Sequence, residues 1–196
     1  MVRYFEIGLS LIAENHGLSH DGDDRLCSFI WPVAPMALST ALVDYENPKH
    51  GADLVFLLDY YASGASGGGK GLPETVKDSL VENLAKIPHA FSILCYSDEQ
   101  PAGLANGFHL FSTFKGKPLV NVHDLIVHAD FRRQGVSQIL LSEVEKIARS
   151  KNACKITLEV LEKNYPAINA YQKFGFAGYE LDPSFGKAIF LEKALE

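Results

Sequence analysis

The pattern of apolar and polar residues predicts alternating strands and helices from residue 37 onwards. Apolar residues recur at helical spacing over residues 48–61, and residues 135–150 form a strongly amphipathic stretch, so both are predicted helices. Apolar runs bounded by turn residues predict strands. The predicted elements in chain order are a strand at 37–45, helices at 48–61 and 74–87, strands at 90–96, 102–113 and 119–128, a helix at 135–150, a strand at 155–161 and a helix at 166–174. Two further strands, at 179–181 and 188–192, would close the sheet.

The order of these elements predicts an α/β fold. The strand at 119–128, the helix at 135–150 and the strand at 155–161 form a βαβ unit, whose two strands should be parallel and joined by a right-handed connection. The turn between residues 96 and 102 predicts a hairpin, and antiparallel neighbours are expected elsewhere. We therefore expect a mixed, mostly antiparallel twisted sheet flanked by helices on both faces.

Residues 1–36 differ from the rest of the chain. Residues 2–13 could form a strand, residues 16–25 form a polar loop rich in Gly and Asp, and Pro32 and Pro35 then interrupt regular structure. We expect an N-terminal arm of unknown role at 1–36 and one domain at 37–196. We expect the arm to pack on the domain or on a second subunit, and the second alternative would make the protein a homodimer.

Composition and charge narrow the class of partner. Hydrophobic residues make up 47% of the chain and charged residues 21%, as in an ordinary globular protein. The formal net charge is −6, and the basic residues form no block beyond Arg132 and Arg133. Neither nucleic acid nor an anionic membrane is therefore the expected partner. An acidic surface suits a cationic substrate such as an amine.

Cysteine and histidine spacing matches neither a disulfide framework nor a metal site. Cys27, Cys95 and Cys154 are far apart, and the histidines include no H-E-x-x-H motif. We expect no metal, and a reducing cytoplasm as the location. Glu6 interrupts the first apolar stretch and no clear cleavage site follows it, so we expect no signal peptide and no membrane span.

The junction between the strand at 119–128 and the helix at 135–150 is a candidate phosphate site. The first N–H groups of a helix have no partner within the helix, and they lie at the positive end of its dipole. Such a place binds a phosphate or a pyrophosphate. Gly135 would let the backbone approach the ligand closely, and Arg132 and Arg133 would add positive charge. The alternative is an ordinary junction with two solvated arginines.

Two motifs in order make the chain resemble the GNAT superfamily. Arg132, Gly135 and Ser137 match the family's pyrophosphate loop Arg/Gln-x-x-Gly-x-Gly/Ala, with Ser137 a departure from the usual Gly or Ala. Residues 164–176 match its second motif, Asn-x-x-Ala-x-x-x-Tyr-x-x-x-Gly-Phe. The close match covers residues 118–178. The resemblance implies an acyl-CoA-dependent N-acyltransferase, and above all an acetyltransferase that acts on an amine.

The resemblance also implies where acetyl-CoA, the co-substrate, would bind. The family's two central parallel strands splay apart, and the open backbone of the first would pair with the pantetheine amides and stabilise a developing oxyanion. The loop and the first turn of the following helix would hold the pyrophosphate, and an asparagine near the second strand would contact the cofactor arm. The predicted binding residues are Leu125, Ile126, Val127, Arg132, Arg133, Gln134, Gly135, Val136, Ser137, Gln138 and Asn164.

Two residues are the candidate catalytic groups. Tyr171 matches the family tyrosine that protonates the leaving thiolate, whereas its alternative role is core packing. His123 interrupts an apolar strand and suits base catalysis, directly or through water, whereas its alternative role is that of a hydrogen-bonded strand residue. Strand alternation predicts that Asn121 and His123 share one face and that Asp124 lies on the other, where a structural role is expected.

The glycine-rich segment at 64–71 resembles a nucleotide-binding P-loop only superficially. Gly71 stands where that motif needs a hydroxyl, and a helix is predicted before the segment instead of a strand. A mobile loop that shapes the acceptor site is the better interpretation. For the whole protein, acetylation of a small-molecule amine is the leading hypothesis. The alternatives are acetylation of a protein lysine or N-terminus, and acyl-CoA binding without catalysis.

Overall fold

A computed structural model of the protein describes residues 37–179, 182, 184, 186 and 189–195. The predicted arm, with its strand at 2–13, lies outside these residues, and the domain boundary at residue 36 stays a prediction. The strands are β1 (Leu38–Leu42), β2 (Ala90–Ser97), β3 (Gln100–Ser112), β4 (Lys117–Val127) and β5 (Ile156–Leu158). The helices are α1 (Pro48–Ser63), α2 (Glu74–Ala85), α3 (Val136–Ser150) and α4 (Tyr165–Phe174), and a 3-10 turn spans Ala129–Phe131.

The described strands form one sheet in the order β1-β2-β3-β4-β5. Each neighbouring pair is antiparallel except β4 and β5, which are parallel. The α3 helix connects these two parallel strands, as the predicted βαβ unit requires. The predicted mixed, mostly antiparallel sheet is therefore confirmed.

Helices cover both faces of the sheet, and each face has its own apolar core. On one face, Leu54 and Leu57 of α1 are fully buried against Leu94 and Leu104 of the sheet, and α2 packs at the edge of the same cluster. On the opposite face, α3 buries one side of its amphipathic stretch against alternate strand residues such as Ile93. Successive strand residues point to opposite faces, so Ile93 and Leu94 belong to different cores.

Local sequence signals set the helix boundaries. Asn47 caps α1, because its side-chain oxygen accepts hydrogen bonds from Lys49 N at 2.9 Å and His50 N at 3.4 Å. Pro48 follows at the first helical position, where its missing N–H costs nothing. Pro73 likewise stands immediately before α2.

Two predictions for the end of the sheet are wrong. The strand predicted at 155–161 contains only Ile156–Leu158, because β4 and β5 stop pairing after Leu158. No strand forms at 189–192, the described part of the strand predicted at 188–192, where the side chains at 189–191 are 72–80% exposed. A strand needs a neighbouring strand for its backbone hydrogen bonds, and none of the described residues pairs with this segment. Of the strand predicted at 179–181, only residue 179 is described, and it is irregular.

Candidate active site

The strands β4 and β5 diverge at the level of His123. β4 pairs with β3 as far as Val127, but it pairs with β5 only between Val120 and Val122. Within the described residues, the edge of β4 from His123 to Val127 is therefore open on the β5 side. This is the splay that the sequence resemblance implies.

The direction of one hydrogen bond shows which backbone groups face the open edge. His128 N donates to Ala102 O of β3 at 3.0 Å. Residues of an antiparallel strand bond alternately to the two sides, so Ile126 also bonds towards β3, whereas Leu125 and Val127 direct their N–H and C=O groups to the open edge. The side chain of Ile126 is buried in the core beneath α1. Of the predicted backbone contacts, those of Leu125 and Val127 remain available to a ligand.

A β-bulge at His123 changes the face on which the next residue lies. Asn106 pairs with Asp124 and Gly107 with Val122, so His123 is one extra residue in β4. The exposed His123 ring lies 5.7 Å from the Phe108 ring, and Asp124 bonds to Asn106. Phe108 and Asn106 lie on the α1–α2 face of β3, because they alternate with residues of the opposite face.

The side chains of His123 and Asp124 therefore share the α1–α2 face. The prediction that Asp124 lies on the opposite face is wrong, because simple alternation does not hold across a bulge. Sequence reasoning gave Asp124 a structural role on the other face, and so did not place it beside His123.

A buried chain of hydrogen bonds holds Asp124. Asn106 Nδ2 donates to Asp124 Oδ2 at 2.9 Å, and Ser92 Oγ donates to Asn106 Oδ1 at 2.6 Å. Tyr45 Oη lies 2.9 Å from Ser92 Oγ, and burial raises the pKa of Tyr45, which keeps it neutral. Ser92 is 0% exposed and Asn106 4% exposed, so this series of hydrogen bonds fixes the orientation of the Asn106 amide.

Asp124 itself is half-buried, and it has no cationic partner among the described residues. The signal in the sequence was the polar pair Ser92 and Asn106, each of which interrupts an apolar run within its strand.

The first turn of α3 is open to an anion. Gly135 has φ 91°, in the left-handed region, and no side chain caps the helix. The first intrahelical bond is from Ile139 N to Gly135 O, so the N–H groups of Val136, Ser137 and Gln138 have no partner within the helix. A Cβ atom on Gly135 would meet nothing within 4 Å, so the space beside it is free. These features fit the predicted phosphate or pyrophosphate site.

The loop before α3 places its charged side chains in solvent. Arg132 and Arg133 are exposed, and Arg133 has φ 63°. Gln134 is exposed too, but its Nε2 donates to Asp130 O at 2.9 Å, within the loop. The two arginines are therefore free to meet a phosphate, whereas Gln134 supports the shape of the loop.

The residues at the start of α3 offer mainly their backbone. The side chain of Val136 is only 1% exposed and belongs to the α3 core. The side chain of Gln138 turns towards α4, where its Nε2 donates to Ala170 O at 3.0 Å. The predicted pyrophosphate contacts of these two residues are therefore restricted to backbone N–H groups.

The second motif is explained by how α4 begins and ends. Asn164 caps the start, with its Oδ1 accepting from Ala167 N at 3.4 Å, and its amide nitrogen is left for the predicted cofactor contact. At the end, Gly175 has φ 107°, Gly175 N donates to Gln172 O, and Phe176 N donates to Tyr171 O. This is a Schellman motif.

The Schellman motif and an aromatic contact together hold Tyr171 against the end of its own helix. The Phe176 ring packs 5.9 Å from the Tyr171 ring, as expected for the two motif positions in contact. Burial raises the pKa of the Tyr171 hydroxyl, and nearby Tyr61 raises it further. Tyr171 is therefore protonated at neutral pH, as a proton donor must be.

The glycine-rich segment folds back onto the end of α1. Tyr61 Oη donates to Ser66 O at 3.3 Å, and Lys70 N donates to Ala62 O at 3.1 Å. Tyr61, to which this segment bonds, also helps to raise the pKa of Tyr171. The prediction that a helix precedes the segment is confirmed, whereas its mobility stays a prediction.

Comparison with known families agrees with this geometry. The model of the Acetyltransferase (GNAT) family matches residues 59–176, more than half of the chain. The chain belongs to the GNAT acetyltransferase family. The matched region includes β4, the loop before α3, and α4 with Tyr171.

Two acetyltransferases of other organisms are similar in sequence to part of this chain. Thialysine N-epsilon-acetyltransferase of Caenorhabditis elegans is 29% identical over 106 residues, which cover 50% of this chain and 64% of that protein. Streptothricin acetyltransferase of Streptomyces lavendulae is 33% identical over 76 residues, or 39% of this chain and 40% of that protein. The chain thus spans less than two thirds of the length of either relative.

A solved structure shares the fold of the GNAT protein described here. An aminoglycoside N-acetyltransferase in complex with CoA superposes with a TM-score of 0.63 at 18% identity, covering 81% of this chain and 96% of that one. None of the helices in the described ranges is both long and apolar enough to cross a membrane.

Proposed function

We propose that this protein transfers an acetyl group from acetyl-CoA to an amine of a small molecule by direct attack. The observation that carries the proposal is the open edge of β4, from His123 to Val127, which leads to the uncapped first turn of α3. An extended amide-containing arm can pair with such an edge, and its terminal phosphates can then bind at the helix start. These two sites occur in the order that a pantetheine arm followed by a pyrophosphate requires.

The described residues can hold each part of acetyl-CoA. The backbone groups of Leu125 and Val127 would bond to the pantetheine amides, and an N–H at the open edge would stabilise negative charge on the thioester oxygen. The N–H groups of Val136, Ser137 and Gln138, with Arg132 and Arg133, would hold the pyrophosphate. All of these proposed contacts with acetyl-CoA come from backbone groups and arginine side chains.

The acceptor is proposed to be cationic because of Asp124. A half-buried carboxylate is costly unless it is paired, and its described partner is the neutral amide of Asn106. An ammonium group at the α1–α2 face would supply the missing charge. The formal net charge of −6 favours the approach of such a substrate. The names of the thialysine and streptothricin relatives also describe acetylation of small molecules.

The reaction balances with the residues present. The ammonium loses a proton to His123 or to water, and its lone pair attacks the thioester carbonyl carbon. A C–N bond forms as the C–S bond breaks, and the thiolate takes the proton of the Tyr171 hydroxyl. The nitrogen then releases its remaining extra proton to water, which leaves the neutral amide, and the Tyr171 phenolate regains a proton from water. His123 is exposed at the bulge on the α1–α2 face, where it can exchange protons with water, and Tyr171 is protonated at neutral pH, as the acid must be.

A screen for CoA release tests the proposal. The protein is mixed with acetyl-CoA and with sets of polyamines, amino acids, aminoglycosides and lysine peptides, and a thiol reagent follows the CoA released. We expect turnover with at least one small cationic amine and loss of turnover in Tyr171→Phe. Turnover with peptides alone would favour a protein acetyltransferase, and tight acetyl-CoA binding without turnover would favour a binding domain. Either result would contradict the proposal. A homodimer and a cytoplasmic location stay predictions.

A further inference from the structure

The helix that carries Tyr171 is weakly anchored to the rest of the protein. No residue of α4 is fully buried, although the Tyr171 hydroxyl is shielded from water, and neither apolar core includes an α4 residue. Among the described residues, one hydrogen bond joins α4 to another element, and it runs from Gln138 Nε2 to Ala170 O at 3.0 Å. The position of α4 therefore depends on Gln138 more than a core helix would depend on one polar contact.

Gln138 contacts two functional regions at once. It is the third residue of α3, and its backbone N–H is one of the groups that have no partner within the helix. Its side chain reaches the carbonyl of Ala170, which directly precedes Tyr171. A phosphate held by the backbone of Gln138 would fix the same residue whose side chain holds α4.

Movement of α4 would be transmitted directly to the Tyr171 hydroxyl. Tyr171 and Phe176 are locked together by the Schellman motif, so the helix and its end move as one piece. A displacement of about 1 Å from reactive geometry can lower a rate by about a hundredfold. Loss of the hydrogen bond from Gln138 to Ala170 is therefore expected to affect proton donation by Tyr171 rather than binding of acetyl-CoA.

We propose that Gln138 is a positioning residue that couples pyrophosphate binding at the start of α3 to the placement of Tyr171. The inference rests on the proposed function, because it takes Tyr171 as the acid. The backbone of Gln138 serves the co-substrate, and its side chain aligns the proton donor. Gln138 is thus not only the pyrophosphate contact that the sequence predicts.

The test replaces Gln138 by methionine, which has a similar length and no N–H group. The matched control is Gln172→Met, because Gln172 is exposed on α4 itself and its side chain makes no described hydrogen bond. We expect Gln138→Met to lower kcat by about tenfold to a hundredfold. The Kd for acetyl-CoA, measured by calorimetry, should change by less than about threefold, since the backbone N–H remains. Gln172→Met should resemble the unaltered protein in both measurements.

A double variant distinguishes positioning from a general loss of stability. If Gln138 acts through Tyr171, Gln138→Met should cause no further loss of kcat in a Tyr171→Phe background. Acetyl-CoA should also slow hydrogen exchange of α4 amides in the unaltered protein, and much less in Gln138→Met. If methionine disturbs folding, as judged by thermal unfolding, Gln138→Ala is used in the same measurements.

Three results would overturn the inference. The first is a kcat for Gln138→Met equal to that of Gln172→Met, and the second is an undiminished loss in the Tyr171→Phe background. If Tyr171→Phe lowers kcat while Gln138→Met does not, this inference fails and the proposed function stands. The third result is an unchanged kcat in Tyr171→Phe, which removes the proposed acid and this inference with it.

Discussion

Substitution of Gly135 tests the phosphate site sharply, because two residues of the same shape but different charge can be compared there. Gly135 has φ 91°, and Asn and Asp are among the non-glycine residues that enter the left-handed region most readily. A Cβ atom at this position would meet nothing within 4 Å. Gly135→Asn and Gly135→Asp should therefore carry similar backbone strain, on the order of 1 kcal/mol, and differ mainly in charge.

The expected difference in acetyl-CoA affinity follows from Coulomb's law. A carboxylate about 5 Å from one phosphate charge is repelled by about 1 kcal/mol in bulk water and by about 3 kcal/mol at the effective dielectric constant of a protein surface. Gly135→Asp should therefore bind acetyl-CoA about fivefold to 150-fold more weakly than Gly135→Asn. Added salt should reduce the difference, because it screens exposed charges.

Calorimetric titration with acetyl-CoA at low and high salt measures both Kd values. Thermal unfolding of the two variants checks that they are comparably stable. Equal affinity of Gly135→Asp and Gly135→Asn for acetyl-CoA at low salt would refute the assignment, since the added carboxylate would then lie far from any phosphate.

Substitutions of the other site residues are expected to change different kinetic parameters. Tyr171→Phe should leave acetyl-CoA affinity nearly unchanged and lower kcat by about 10²–10⁴, so unaffected turnover would leave Tyr171 as a packing residue. His123→Ala should slow turnover without weakening acetyl-CoA binding, and an unchanged rate would mean that water accepts the proton. Asp124→Asn should raise KM for a cationic amine about tenfold to a hundredfold through loss of a charged hydrogen bond, while KM for acetyl-CoA stays the same. A rise in both KM values would instead indicate a structural role for Asp124.

The hydrophobic pattern was sufficient to predict most elements of the fold. Helical spacing located α1 and α3, and the parallel pairing of β4 and β5 followed from their connection through α3. These features depend on local periodicity and on general rules of chain connection, and both can be read from a single sequence. The length of β5 could not be predicted, because it depends on where β4 turns away from it.

Side-chain directions within the site were harder to predict. The bulge at His123 depends on the register between β3 and β4, which no local pattern records, and it brings Asp124 onto the α1–α2 face. The position of Gln138 in a pyrophosphate motif likewise gave no sign that its side chain bonds to α4. Motifs thus predicted the backbone of the candidate site, whereas contacts between elements determined which of its side chains have no partner among the described residues.

Mass spectrometry of a complete reaction tests the central claim most directly. The protein is incubated with acetyl-CoA and the best amine from the screen, and the acetylated amine and free CoA are quantified over time. Acetyl transfer by direct attack predicts that the two products appear in equal amounts and that both are strongly reduced in Tyr171→Phe. Release of CoA without an acetylated amine, or no turnover with any amine despite acetyl-CoA binding, would contradict the account.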